Sequence, residues 1–173
     1  MMGRALLIIG ALATLGFLAS GILGYLLEGP ADAAMPRHVL VALAACLAQL
    51  FSHCWILIYL FITGWAIRET VKEGGLDARY VDEANRFKTS LAPWLVAAVV
   101  LGVATFLLGG AAARGAVKPW IHHGLFFATL AVQGWALWRE LHVLRANQAL
   151  IHEIDRSVAG LAGAGLPGPE VAG

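Results

Sequence analysis

Charge is what this chain has least of. Only 13% of its 173 residues are Asp, Glu, Lys or Arg, against about a quarter in an ordinary soluble domain. A chain so poor in charge, with 60% hydrophobic residues, belongs to the membrane class. The formal net charge is only +1. With no basic stripe and no recognition motif, nucleic acid is excluded as a partner. Cysteine is equally scarce. Cys46 and Cys54 lie in one apolar segment, too far apart along a single helix to form a disulfide, and they read as small apolar packing residues. There is no CxxCH, so covalent c-type haem attachment lacks its usual signature. The glycine pairs Gly74-Gly75 and Gly109-Gly110 are not followed by the lysine of a phosphate-binding loop. No nucleophile–base pair is visible.

What the chain does have is four apolar segments, at about residues 5–27, 39–67, 91–110 and 120–138. Each is close to or above the roughly 20 residues needed to cross a bilayer as a helix. The first is too long for the h-region of a signal peptide and reads as a retained helix. The expected fold is all-α: an integral membrane four-helix bundle with helices over about 5–27, 39–73, 91–110 and 120–155. To it are added an amphipathic inner loop helix ending near Lys88 and a C-terminal helix extension. Residues 1–156 form the transmembrane domain, and 157–173, rich in Gly, Ala and Pro, are expected to be a disordered tail.

Lysine and arginine set the expected orientation. Arg68, Lys72, Arg79, Arg86, Lys88, Arg139, Arg145 and Arg156 fall on one side with Arg4, and only Arg37, Arg114 and Lys118 on the other. The positive-inside rule places both termini in the cytoplasm of a multi-pass inner-membrane protein. Trp65, Trp94, Trp135 and Trp138 at inner segment ends and Trp120 at an outer end agree with interfacial belts. In the inner loop, Gly74-Gly75 reads as a helix C-cap and Asp77 as the cap of the next helix, whose apolar stripe is Tyr80, Ala84 and Phe87. Pro93 reads as the first turn of the third span. Gly16, Ser20 and Gly24 make a small-residue stripe that lets another helix approach closely. The amphipathic stretches over 77–88 and 139–155 are expected to pack on each other or to hold a partner subunit.

Two segments carry polar stripes. The second places Cys46, Gln49, His53 and Thr63 on one helical face, with Ser52 and Tyr59 beside it. The fourth places His122, Thr129, Gln133 and Glu140 on one face at offsets of about 7, 11 and 18 residues, and His123 points about 100° away. Polar faces of membrane helices turn inward. Counting depth from Ile67 and Trp138 puts His53 and His122 about one helical turn apart in height. Two imidazoles on facing helices suit axial ligation of a b-type haem. The expected site is therefore His53 with His122 (or His123) as iron ligands, and Gln49, Tyr59 and Gln133 nearby. The expected role is a small electron-transfer subunit, quinone-linked, beside other membrane or cytoplasmic-face subunits. The competing reading of His53 is structural, a hydrogen bond to a carbonyl or to Gln133. The competing role is a cofactor-free membrane anchor or assembly subunit holding a partner protein on the cytoplasmic face. Glu140 is expected at the inner boundary.

Overall fold

In the computed structural model, which describes residues 2–29 and 32–163 (side chains from 5 and to 161), the chain is four helices and no strand among the described residues. They are α1 (Met2–Tyr25), α2 (Met35–Gly74), α3 (Arg79–Ala113) and α4 (Pro119–Gly163). Sequence neighbours pack side by side, and α1 closes against α4. The result is an up-down bundle in which α1 and α3 run against α2 and α4.

Buried positions explain the packing. On α1 they are Leu6, Gly10, Ala13, Phe17 and Ser20. On α3 they include Tyr80, Ala84, Leu91, Leu95, Ala98, Gly102 and Thr105. On α4 they are Thr129, Gln133, Ala136, Glu140, Val143, Asn147, Leu150 and Ile154, with Leu144 beside them. Steps of three and four alternate, the seam of a left-handed bundle. Leu6, Ile56, Leu60, Leu91, Leu95, Ala98, Ala136 and Val143 form the central core.

α1, α2 and α3 each contain a stretch long and apolar enough to cross a membrane. α4 is longer still at 45 residues, but His122, His123 and Gln133 dilute its apolar stretch. The lipid-type surface is evident in exposed side chains such as Ile8, Leu12, Ile22, Phe61, Ile62 and Leu107, which in water would make a large apolar patch.

Two expectations about the connections are met. Gly75 adopts a left-handed conformation (φ 58°) and its N–H bonds the Val71 carbonyl, ending α2. The Asp77 carboxylate accepts the Arg79 N–H at 2.8 Å in the first turn of α3.

A third expectation is corrected. The loop helix and the third span are one continuous helix, with Pro93 inside it. The face Tyr80–Ala84–Phe87 continues into Leu91 and Leu95, so packing carries the helix through the proline. In the turn the proline weakens, the Ser90 carbonyl accepts Arg139 Nη2 at 3.1 Å.

The helix ends around the α2–α3 turn cover each other: Tyr80 and Ala84 pack with Ile67, Val71, Leu150 and Ile154. α4 runs on to Gly163, past its expected end near residue 155. The rest of the expected tail, 164–173, lies outside the described residues. Gly16 packs against Ala45 and Gly24 against His38, so both glycines serve packing within the bundle.

Candidate functional site: a buried histidine–glutamate pair

α2 runs parallel to α4, and their seams face each other across the bundle axis. A residue of α2 meets the residue of α4 about 84 positions later, as the bonds of Gln49 to Gln133 and of Thr63 to Asn147 show. That register decides the site. It brings His53 to Gln133 and Glu140, and it brings His38 to the level of His122.

His53 is 1% exposed and Glu140 0%. Nδ1 of His53 lies 2.6 Å from Glu140 Oε1. Its Nε2 lies 2.9 Å from Gln133 Oε1. The same Gln133 oxygen accepts Gln49 Nε2 at 2.8 Å, and Gln49 Nε2 also donates to the Ala98 carbonyl at 2.8 Å. The approach of Gln49 to α3 needs Gly102, where a side-chain carbon would fall inside the Gln49 amide. Below Glu140, Ser52 donates to the Leu6 carbonyl of α1 at 3.0 Å. Gly10 of α1 lies over Ser52 Oγ and the carboxylate.

The pair is close but not aligned as an in-line hydrogen bond. Neither Nδ1 nor either Glu140 oxygen has a directed hydrogen-bond partner, and Gln133 Nε2 also has none. A buried ionisable group without full satisfaction is costly. The group closest to the Glu140 carboxylate is the His53 imidazole, 2.6 Å away.

The chain matches no known family model, no curated protein and no solved structure.

The axial pair expected from the sequence is not assembled. His122 precedes Gln133 by 11 positions and Glu140 by 18, about 16 and 27 Å along α4. The half-buried His122 ring instead lies against Gly109 of α3. His123 is exposed, its ring 5.0 Å from Tyr25 and 6.0 Å from His122. Both ring nitrogens of His53 already face protein partners. Gln133 does join His53, as the structural reading of that histidine anticipated, and Gln49 is linked to it through Gln133. Tyr59 does not: it lies further down α2, with its hydroxyl 3.5 Å from Asn147 Nδ2, which also reaches Thr63 Oγ1 at 3.4 Å. Among the described residues, no group of three or more His, Cys, Asp or Glu is placed to hold a metal ion.

The residue whose partner sequence reasoning missed is Glu140. Next to Arg139, it reads as the edge of the membrane. Seam spacing carries the missing signal: Gln133, Glu140 and Asn147 are each seven apart, on one seam position, whereas Arg139 is off it. The two neighbours point to different places, Arg139 to α3 and Glu140 to the axis.

Other polar contacts extend the interior stripe. Thr105 and Thr129 hydroxyls meet at 2.6 Å between α3 and α4. His38 Nδ1 lies 2.9 Å from the Ser20 carbonyl, joining α2 to α1.

Proposed function

We propose that this protein is a proton-handling integral-membrane subunit, whose bundle interior binds and releases one proton at the His53–Glu140 pair. All four helices cross the bilayer, α4 among them because it packs on α3 along its length, with both termini on the cytoplasmic side of the inner membrane. The lysine and arginine bias supports that orientation.

The observation that carries the reading is the 2.6 Å contact between two ionisable side chains with essentially no exposure. Ionisable residues inside membrane-spanning segments are functional-site candidates by default, members of proton relays among them. Losing the shared proton leaves a carboxylate beside a neutral imidazole, net −1, and regaining it restores neutrality. Such a group suits a subunit beside a redox partner, since reduction of a lipid-soluble quinone consumes protons. The electron-transfer role expected from the sequence is then served by proton chemistry.

A b-type haem is a separate proposal. It requires His53 to release Gln133 or Glu140 and a second ligand other than His122 at its present level. The anchor role draws less support, because the two amphipathic overruns bury each other's apolar faces.

Infrared difference spectroscopy on the protein in lipid vesicles tests the proton site. A pH step is expected to change a carboxylic-acid C=O band that disappears in Glu140→Gln and shifts in His53→Gln. The same response in Glu140→Gln as in the parent sinks the reading. A Soret band in protein purified from haem-replete cells, lost in His53→Ala, would put the haem in its place.

A further inference from the structure

The polar cluster around His53 has a direction that starts at one backbone oxygen. A carbonyl can only accept a hydrogen bond. Gln49, 2.8 Å from the Ala98 carbonyl, must therefore present its NH2 there, because its own oxygen would face another oxygen. The same NH2 supplies its second hydrogen to Gln133 at 2.8 Å, so Gln133 must present oxygen. That oxygen is 2.9 Å from Nε2 of His53, so Nε2 must carry hydrogen. Three side chains are thus oriented in series, and the histidine tautomer at the end is set by α3.

From this geometry we infer that Nε2 of His53 is permanently protonated, that the one exchangeable proton lies on the Nδ1–Glu140 side, and that Gln49 and Gln133 are positioning residues for it. The inference rests on the proton-site reading for its function, but not for its structure. With Nε2–H donated to Gln133, the unprotonated pair is neutral imidazole plus carboxylate. Adding one proton, on Nδ1 or on a Glu140 oxygen, takes the pair from −1 to zero, and no other bond changes.

Around the pair, α1 contributes Gly10, and α3 contributes the Ala98 carbonyl that accepts from Gln49. α2 adds Ser52, whose hydrogen is donated to the Leu6 carbonyl. On α4 the neighbouring cation, Arg139, is directed to the Ser90 carbonyl. Glu140 Oε2 has no hydrogen-bond partner and lies on the side facing Gly10. The glutamine side of the pair is closed by donated hydrogens.

Nitrogen-15 spectra of histidine-labelled full-length protein in lipid vesicles test this, with the His53 signals assigned by their loss in His53→Gln. In the parent, Nε2 is expected to keep the N–H shift at every pH at which the fold persists, while Nδ1 moves. In Gln49→Leu the amide of Gln133 is free to turn, and the exclusive Nε2–H signal is expected to give way to a mixture of tautomers. A bare Nε2 in the parent at any pH overturns the inference, whether or not the variant folds. So does a Gln49→Leu protein with the parent's unmixed Nε2–H signal. The infrared response of Glu140 is scored separately: its absence ends the proton-site reading while leaving the tautomer assignment standing.

Discussion

Two acid–base pairs in this molecule have nearly the same length and opposite character. His53 and Glu140 approach to 2.6 Å at 1% and 0% exposure. Arg79 and Glu153 approach to 2.7 Å at 62% and 45% exposure. The outer pair is embedded in a small polar knot, in which Tyr80 donates to Glu153 at 3.1 Å and lies 3.3 Å from Ser157. Water can take over every one of those contacts. The inner pair has no such substitute, so distance alone says little and burial decides what each pair is worth. A surface pair contributes about 0–1 kcal/mol, whereas breaking a buried pair by removing one partner costs about 3–5 kcal/mol.

The comparison can be broken at its stronger end first. His53→Leu leaves Glu140 buried without its partner and is expected to destabilise the bundle by about 3–5 kcal/mol in denaturant unfolding from detergent. The double variant His53→Leu/Glu140→Leu is expected to recover most of that loss, since two apolar side chains need no partner. If the double variant is no better than the single one, the pair is not what holds the two helices in this arrangement. Next in size is Gly102→Ala. Its methyl falls where the Gln49 amide lies, and overpacking of this kind costs about 1–3 kcal/mol. The test is loss of stability together with a changed His53 nitrogen spectrum.

At the weaker end, Glu153→Gln should cost no more than about 1 kcal/mol, and that cost should shrink in high salt. A salt-insensitive loss would mean the Tyr80 hydrogen bond matters more than the charge. The smallest effect belongs to Asp32, whose carboxylate accepts the Ala34 and Glu28 N–H groups. Those bonds, the Ala34 one first, hold its carboxyl below the usual aspartate range. The stabilisation is therefore present above the unfolded-state value and lost as pH falls through the lower folded-state one. Asp32→Asn should flatten only this acid end of the stability profile, and only slightly.

The same contrast explains what could be read from the sequence. Four helices, three of them long and apolar enough to cross a membrane, the helix stop at Gly75 and the Asp77 bond to the Arg79 N–H follow from local chemistry, and all are present. The self-covering helix ends around the α2–α3 turn were legible from the stripe Tyr80, Ala84, Phe87. Two features needed tertiary information. Pro93 carries the local signature of a helix start, and only continuous packing from Tyr80 to Leu95 carries α3 through it. Arg139-Glu140 looks like a membrane boundary because charge is normally read as wet. A one-residue step on a helix turns the side chain by about 100°, enough to send one charge to α3 and the next to the axis. Depth counted from Ile67 and from Trp138 matched His53 with His122, whereas the register of the bundle puts His122 at the level of His38.

The seven-residue spacing of Gln133, Glu140 and Asn147 also bears on alignment. If α4 slid along α2 by one heptad in either direction, His53 would still meet a polar side chain. The interior stripe by itself therefore tolerates three registers. What singles out one of them is the contact with α3: Thr129 against Thr105, Arg139 on the Ser90 carbonyl, and Glu153 on the Tyr80 hydroxyl act as pins at three heights. All three pins join α4 to α3. α3 thus serves as the ruler of this bundle, setting which α4 residue His53 meets.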